Sequence, residues 1–313
     1  RRTSLEELGI PLPQPVEGLS AVWRYGFLNR FELKADSVLL FEGTEPVTLD
    51  IYADYDKGCV NITLTYMSKD SGTKTAVFPL FIDKKATFQE ALDALPLPED
   101  ASREGFSGYK LKAGLDGTLP VGDIAYLSAE AEYNNCQVAW HTRYLDENGN
   151  EISKTVSAAY EKGTALTDAL AALKAPAATP APLKFDAWIL TDASGEDVLS
   201  RPMTDLYVTA LYQGKTTVDV SYTYRGEDGE LTCGSGLILM DGENLSDAAV
   251  QGQAADAFKN VTHLAGLILQ EWTGSIKTDL GRYKIVSFQA LYHNCTVILK
   301  YPDGTCQYVV VKK

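Results

Sequence analysis

The sequence predicts a row of small α+β modules rather than one large domain. Three observations carry this: a strand-turn-strand cassette recurs four times, a glycine- or asparagine-bearing turn follows each copy, and short apolar-striped helices end at prolines. The cassettes read LDIYADYDKGCVNITLTY, LSAEAEYNNCQVAWHTRY, LYVTALYQGKTTVDVSYTY and VSFQALYHNCTVILKY, and the residue opening each new strand is Cys59, Cys136, Lys215 and Cys295. The intervals between them are 77, 79 and 80 residues. About 80 residues bury a modest core of their own, so a period this long marks a domain and not a solenoid turn.

From Cys59 the apolar residues alternate at Val60, Ile62, Leu64 and Tyr66, and a polar Lys69–Gly72 turn leads to a second apolar run through Val77 and Phe81. Alternation about a turn predicts a β-hairpin. The same place reads Asp146–Gly149, Glu227–Gly229 and Asp303–Gly304 in later copies, supplying Gly or Asn where positive φ is required. A short helix follows: Thr87 and Glu90 have capping-box spacing, and Phe88, Ala91, Leu92 and Leu95 form one apolar stripe. Leu166, Ala169, Leu170 and Leu173 repeat that stripe, Ser4–Glu7 is a further capping box, and Pro96, Pro176 and Pro11 end the three helices. Next comes a core segment of a small residue before a bulky one, at Ala21-Val22-Trp23, Gly108-Tyr109, Ala187-Trp188 and Leu264-Ala265-Gly266-Leu267. The closing strand then ends at Tyr55, Tyr133, Tyr212 and Tyr292, read as packing at module junctions.

Hairpin, helix and strands in that order predict tandem β-grasp, ubiquitin-like repeats, mainly antiparallel or mixed sheets with one short helix each, arranged as an elongated chain. The expected organisation is a partial repeat at 1–58 (helix and closing strands), repeats at 59–135 and 136–214, a divergent repeat at 215–294 and a terminal hairpin at 295–313. A helix-first frame instead starts units near Ser4, Thr87, Thr164 and Ser246. A lone hairpin is marginal in water. The terminal one is therefore expected to dock on the preceding closing strand or to complete residues 1–58 of a second copy, an end-to-end self-association. The glycine-tipped hairpin, short helix, proline, small-small-Trp segment and closing Asp205–Tyr212 stretch resemble the Listeria–Bacteroides repeats, which include the internalin B-repeat. The resemblance is strongest from Cys136 to Gly214. It implies a non-catalytic stalk or interaction segment of a bacterial cell-surface, secreted or wall-attached protein, and carries no catalytic residue.

Composition restricts the partners. The chain has 313 residues, 45% hydrophobic and 22% charged, with a formal net charge of −14. That charge repels phosphate backbones, so nucleic acid is not an expected partner. No apolar run approaches the roughly 20 residues that span a bilayer, so no membrane insertion is expected within this segment. The five cysteines are expected to be free and mostly buried, because their spacing suits neither a disulfide framework nor a zinc site.

No nucleophile elbow, zinc spacing or phosphate loop is present, so no enzyme, no cofactor and no metal is expected. His141, His263 and His293 fall at non-equivalent positions. Asp146–Asn150 crowds oxygens around Gly149, but Ser157 stands where a calcium loop needs glutamate, and the segment reads as a hairpin tip. Cys233–Gly236 reads as a bulged strand. Trp140 and Trp272 fall outside the repeated core slot and are the candidate exposed contacts for a protein or glycan ligand. Two alternatives to the stalk are a carbohydrate- or protein-binding module of an adhesin and an accessory region of a secreted hydrolase.

Overall fold

The structure is a computed structural model that describes residues 2–4, 7, 9, 21–25, 31–33, 38–40, 51–191 and 197–312. It divides into two compact units, Arg1–Asn135 and Cys136–Lys313.

In the first unit β1 (Arg2–Ser4), β2 (Ala21–Tyr25), β3 (Phe31–Leu33), β4 (Val38–Leu40) and β5 (Ile51–Tyr55) precede a full repeat of β6 (Lys57–Ser68), β7 (Gly72–Asp83), α1 (Phe88–Asp93), β8 (Phe106–Leu111) and β9 (Ile124–Tyr133). The second unit holds β10 (Cys136–Leu145), β11 (Glu151–Tyr160), α2 (Leu166–Ala172), β12 (Phe185–Leu190) and β13 (Met203–Tyr212). It continues with β14 (Lys215–Arg225), β15 (Leu231–Asp241), α3 (Asp247–Ala257), β16 (Leu269–Asp279) and β17 (Tyr283–Tyr292), then the hairpin β18 (Asn294–Lys300) and β19 (Cys306–Lys312). The three repeats share one four-stranded sheet, ordered β7-β6-β9-β8, β11-β10-β13-β12 and β15-β14-β17-β16. Each has one parallel pair at its centre, β6 with β9, β10 with β13 and β14 with β17, flanked by antiparallel pairs. In the first unit β1 pairs with β4, and β3-β2-β5 form a second antiparallel sheet.

This corrects the expected α+β class and its β-grasp repeats of mixed sheets with one short helix each: the fold is mostly β. Strand makes up 55% of the described residues and helix 9%. The helices α1 and α2 have 6 and 7 residues, against 10 to 12 in most of the sheet strands around them. Only Ala91 and Leu92 of α1, and Ala169 of α2, are fully buried, so long paired strands organise each repeat and the helix only covers one face. At the chain's start Ser4 ends a strand instead of capping a helix; residues 5, 6 and 8 of that expected helix lie outside the described residues. The Thr87 capping box is present, its hydroxyl accepting from Glu90 N while the Glu90 carboxylate accepts from Thr87 N.

Two structural positions repeat with the sheet. The bulky slot is opposite an alanine of the closing strand every time: Trp23 with Ala53, Tyr109 with Ala131, Trp188 with Ala210 and Trp272 with Ala290. In the last copy the slot is therefore Trp272 on β16, not Leu264–Leu267, which the longer α3 region displaces into the loop before the strand. The closing tyrosines seal their own repeat: Tyr212 and Tyr292 accept the N–H of Leu145 and Arg225, where β10 and β14 end, at 2.8 and 3.1 Å. Tyr133 does the same for Met67 and also donates to Ser102 O.

The tips agree with their residues. Gly72, Gly149, Gly229 and Gly304 all have positive φ, and Asp146 Oδ1 accepts from Asn148 N and Asn150 N, which makes that segment a hairpin tip. Gly234 marks no bulge. The β14/β15 register is unbroken, and a Cβ at Gly234 would lie 2.3 Å from the Tyr222 ring, so glycine leaves room for that ring across the strands. All five cysteines are free, but only Cys136 is buried, while Cys233, Cys295 and Cys306 are exposed because their strands lie at sheet edges or in the terminal hairpin.

The terminal hairpin docks on the β14/β15 tip and the loop before β16, not on a closing strand. Tyr308 donates to Glu230 and stands beneath Arg225, whose guanidinium is 6.0 Å from the ring centre. The Asn294 side chain bridges Ile268 N and Gly266 O at 2.9 and 2.7 Å. A Cβ at Gly229 would lie 2.2 Å from Tyr308, whereas one at Gly149 would meet open space. Both Gly149→Ala and Gly229→Ala should cost about 1 kcal/mol for placing a side chain at positive φ. Only Gly229→Ala should also release residues 294–312, read as faster amide exchange in β18 and β19.

Candidate functional site

The residues with most chemistry converge where the 136–212 repeat meets the 215–292 repeat. Alternation along β10 sends Val138 and Trp140 into the helix-covered core and His141 and Arg143 onto the opposite face. Register then builds that face in rows. Thr155, His141 and Tyr207 share one row across β11, β10 and β13, and Ser153, Arg143 and Thr209 share the next.

Arg143 is the hub. Its Nε donates to Glu151 Oε1 at 2.8 Å and its Nη1 to Asp219 Oδ2 of the following repeat at 2.5 Å. Burial opposes the guanidinium charge, but the Asp219 and Glu151 carboxylates outweigh it and raise the Arg143 pKa further. Glu151 Oε2 accepts from Leu237 N at 2.9 Å, so the same carboxylate also holds β15. Tyr283 donates to Asp219 Oδ2 at 3.3 Å, and its pKa is pushed up to about 12 by burial and then by that carboxylate.

A second staple closes the junction from the other side. Arg282 pairs with Asp186 and donates to Tyr212 O at 2.6 Å, with Glu243 at 3.4 Å. Asp186 reaches it because the β12/β13 register shifts between Phe185 and Ala187, and such a bulge re-aims a side chain. The Thr217 hydroxyl donates to Ala210 O at 3.1 Å, fixing the two-residue connection between β13 and β14.

Beside Arg143 lies a cleft of about 490 Å³, lined by His141, Tyr207, Thr155, Lys154, Thr191 and Asp219 among others. His141 Nε2 is 2.7 Å from Asp205 Oδ1, its Nδ1 is 3.0 Å from the Thr155 hydroxyl, and its ring stacks on Tyr207 at 4.6 Å and 18°. No protein-family model matches this chain, and no curated protein matches it. The Listeria–Bacteroides resemblance thus rests on the sequence motifs alone.

Chemically, the Asp205–His141–Thr155 array orders a ring and a hydroxyl. Acyl transfer would also need two donors converging on an oxyanion. Successive N–H groups of an extended strand point to opposite sides, and β11 keeps an unbroken register through Thr155. Among the described residues no group of His, Cys, Asp and Glu could hold a metal ion, and no helix is long and apolar enough to cross a membrane.

The sequence-picked tryptophans are not surface contacts. Trp140 is 0% exposed, with its indole N–H donated to Tyr160 Oη, and Trp272 is 2% exposed, packed against Phe258 and Tyr222. His141 and Arg143 are accessible to sequence reasoning as the two outward basic residues of one strand, but their carboxylate partners Asp205 and Asp219 lie 64 and 76 residues away. His263 sits 2.8 Å from Tyr292 Oη, and burial holds its pKa below 6.5.

Removing Arg143 leaves two carboxylates facing each other in a partly buried junction. Arg143→Ala should destabilise the second unit by about 2 kcal/mol, a value reduced for the roughly one-third exposure of the pair. A double-mutant cycle with Asp219→Ala, read by urea unfolding, should return a coupling of about 1 kcal/mol. The Lys74/Asp100 pair, exposed and within one repeat, should return a much smaller coupling than Arg143/Asp219.

Proposed function

We propose that this chain is a non-catalytic stalk or interaction segment of a bacterial cell-surface or secreted protein, whose repeats carry tension along the chain. The observation that supports this most is the place of the first and last strands of each repeat. β10 and β13 run parallel and adjacent, paired from Gln137/Met203 to Arg143/Thr209, and β6/β9 and β14/β17 repeat the pattern over seven residues each. Tension applied through the chain pulls the start of one strand against the end of its neighbour. All the hydrogen bonds of the ladder are then loaded together in shear rather than opened one by one.

The junction serves the same role. Connections as short as Gln213-Gly214, stapled by Arg143 and Arg282, transmit tension without slack. The surface location follows from the sequence resemblance and the acidic composition. A binding role for the same segment has one observation of its own, the cleft beside Arg143.

Single-molecule pulling tests this reading. Pulled from its two ends, the full chain should unfold in discrete steps, each repeat releasing about 250 Å of contour. Pulling the 136–212 repeat through handles at Glu147 and Gln213, which lie at the same end of the parallel pair, should need clearly less force because that ladder then unzips. Equal forces in the two directions would refute the load-bearing reading.

A further inference from the structure

We propose that the cleft beside Arg143 binds a neutral saccharide, with Tyr207 as the stacking platform. The proposal is independent of load bearing, because it concerns the sheet face and not the strand order.

Three features converge on a sugar. The first is an aromatic ring held ready. Tyr207 is 51% exposed, yet its ring is not free to swing, since His141 stacks on it and is itself fixed between Asp205 and Thr155. A ring that is both exposed and held in place stacks on the C–H face of a pyranose at little entropic cost. The second is the density of hydroxyls. Ser153, Thr155, Thr191 and Tyr207 line the same cleft: Thr191 already donates to Tyr207 O and Thr155 is bonded to His141 Nδ1, so these two offer acceptor lone pairs, while the Ser153 and Tyr207 hydroxyls can both donate and accept, as sugar hydroxyls require. The third is charge. The Arg143 guanidinium is already engaged by Asp219 and Glu151, and Asp205 by His141, so these charges are matched within the protein. The exposed Lys154 ammonium remains at the rim as a donor for a hydroxyl or ring oxygen. An anionic ligand would have that single rim cation to pair with, because Arg143 is already engaged.

The volume, about 490 Å³, suits one or two sugar rings. The repeat frame explains why the site occurs here. The row Thr155–His141–Tyr207 corresponds by register to Val77–Thr63–Ser128 in the preceding repeat and to Ser235–Ser221–Ser287 in the next, neither of which carries an aromatic ring beside an imidazole.

The test is backbone amide NMR of the full chain titrated with a panel of neutral sugars: glucose, galactose, mannose, N-acetylglucosamine, cellobiose, lactose and maltose. Galacturonate and inorganic phosphate serve as anionic probes. At least one neutral sugar should bind and shift the amides of His141, Thr155, Thr191 and Tyr207. Tyr207→Ala should weaken that sugar about tenfold, while Tyr207→Phe, which keeps the ring, should stay within about twofold. Lys154→Ala, on an exposed side chain that folding does not need, should weaken it as well. The proposal is overturned if no neutral sugar on the panel shifts those amides, if Tyr207→Ala and Lys154→Ala both bind like the parent chain, or if galacturonate or phosphate binds there more tightly than every neutral sugar.

Discussion

Each repeat depends on the parallel pairing of its first strand with its last. Two parallel neighbours cannot be joined by a tight turn, so the chain must leave the sheet between them, and it does so through a hairpin partner, a helix and a flanking strand. The buried residues follow from this arrangement. Val60, Ile62 and Leu64 on β6, Leu127 and Ala129 on β9, and their counterparts Val138, Trp140, Leu206 and Val208 point to the helix-covered side of the central pair. The helix is the cover and the pair is the frame, which is why the helix can vary from 6 to 11 residues while the sheet order stays the same.

The other recurring residues complete that frame. A closing tyrosine caps the N–H at the far end of the first strand, where β10 and β14 leave the sheet, and a buried N–H without a partner costs about 1–3 kcal/mol. Tyr109, Trp188 and Trp272 each stand opposite a closing-strand alanine, whose small side chain leaves room for the ring. Two residues separate Tyr212 from β14, and Arg143 and Arg282 hold the repeat that β14 opens against the 136–212 repeat from two sides.

Much of the sheet is legible in the sequence because its causes are local. Alternation at Val60, Ile62 and Leu64, glycine at the tips and the Thr87/Glu90 box each depend on neighbours within a few residues. Sequence and structure part where distance or insertion intervenes. The longer α3 region moves the bulky slot away from its expected offset, so Leu267 stands where the repeat period places the slot, and Trp272, which fills it, looks unrepeated and exposed. Trp140 misleads because its repeat counterparts are smaller aliphatics, and an unrepeated aromatic looks like a surface feature when it is a larger core residue. The α+β class overweights a six-residue helix against strands twice as long. The candidate site is only partly legible: the β10/β11 hairpin register brings Arg143 and Glu151 together, but Asp219 reaches Arg143 only after two repeats have folded and docked, and no spacing rule links those two.

Native-state hydrogen exchange at increasing denaturant tests the central role of the parallel pair most directly. The amides of β10 and β13, and of β14 and β17, should exchange only through the highest-energy opening of their repeat, after the outer strands β11 and β15 and the helices have opened. Central strands that exchanged at lower free energy than the outer hairpin strands would contradict this, and the parallel pair would not be the frame of the repeat.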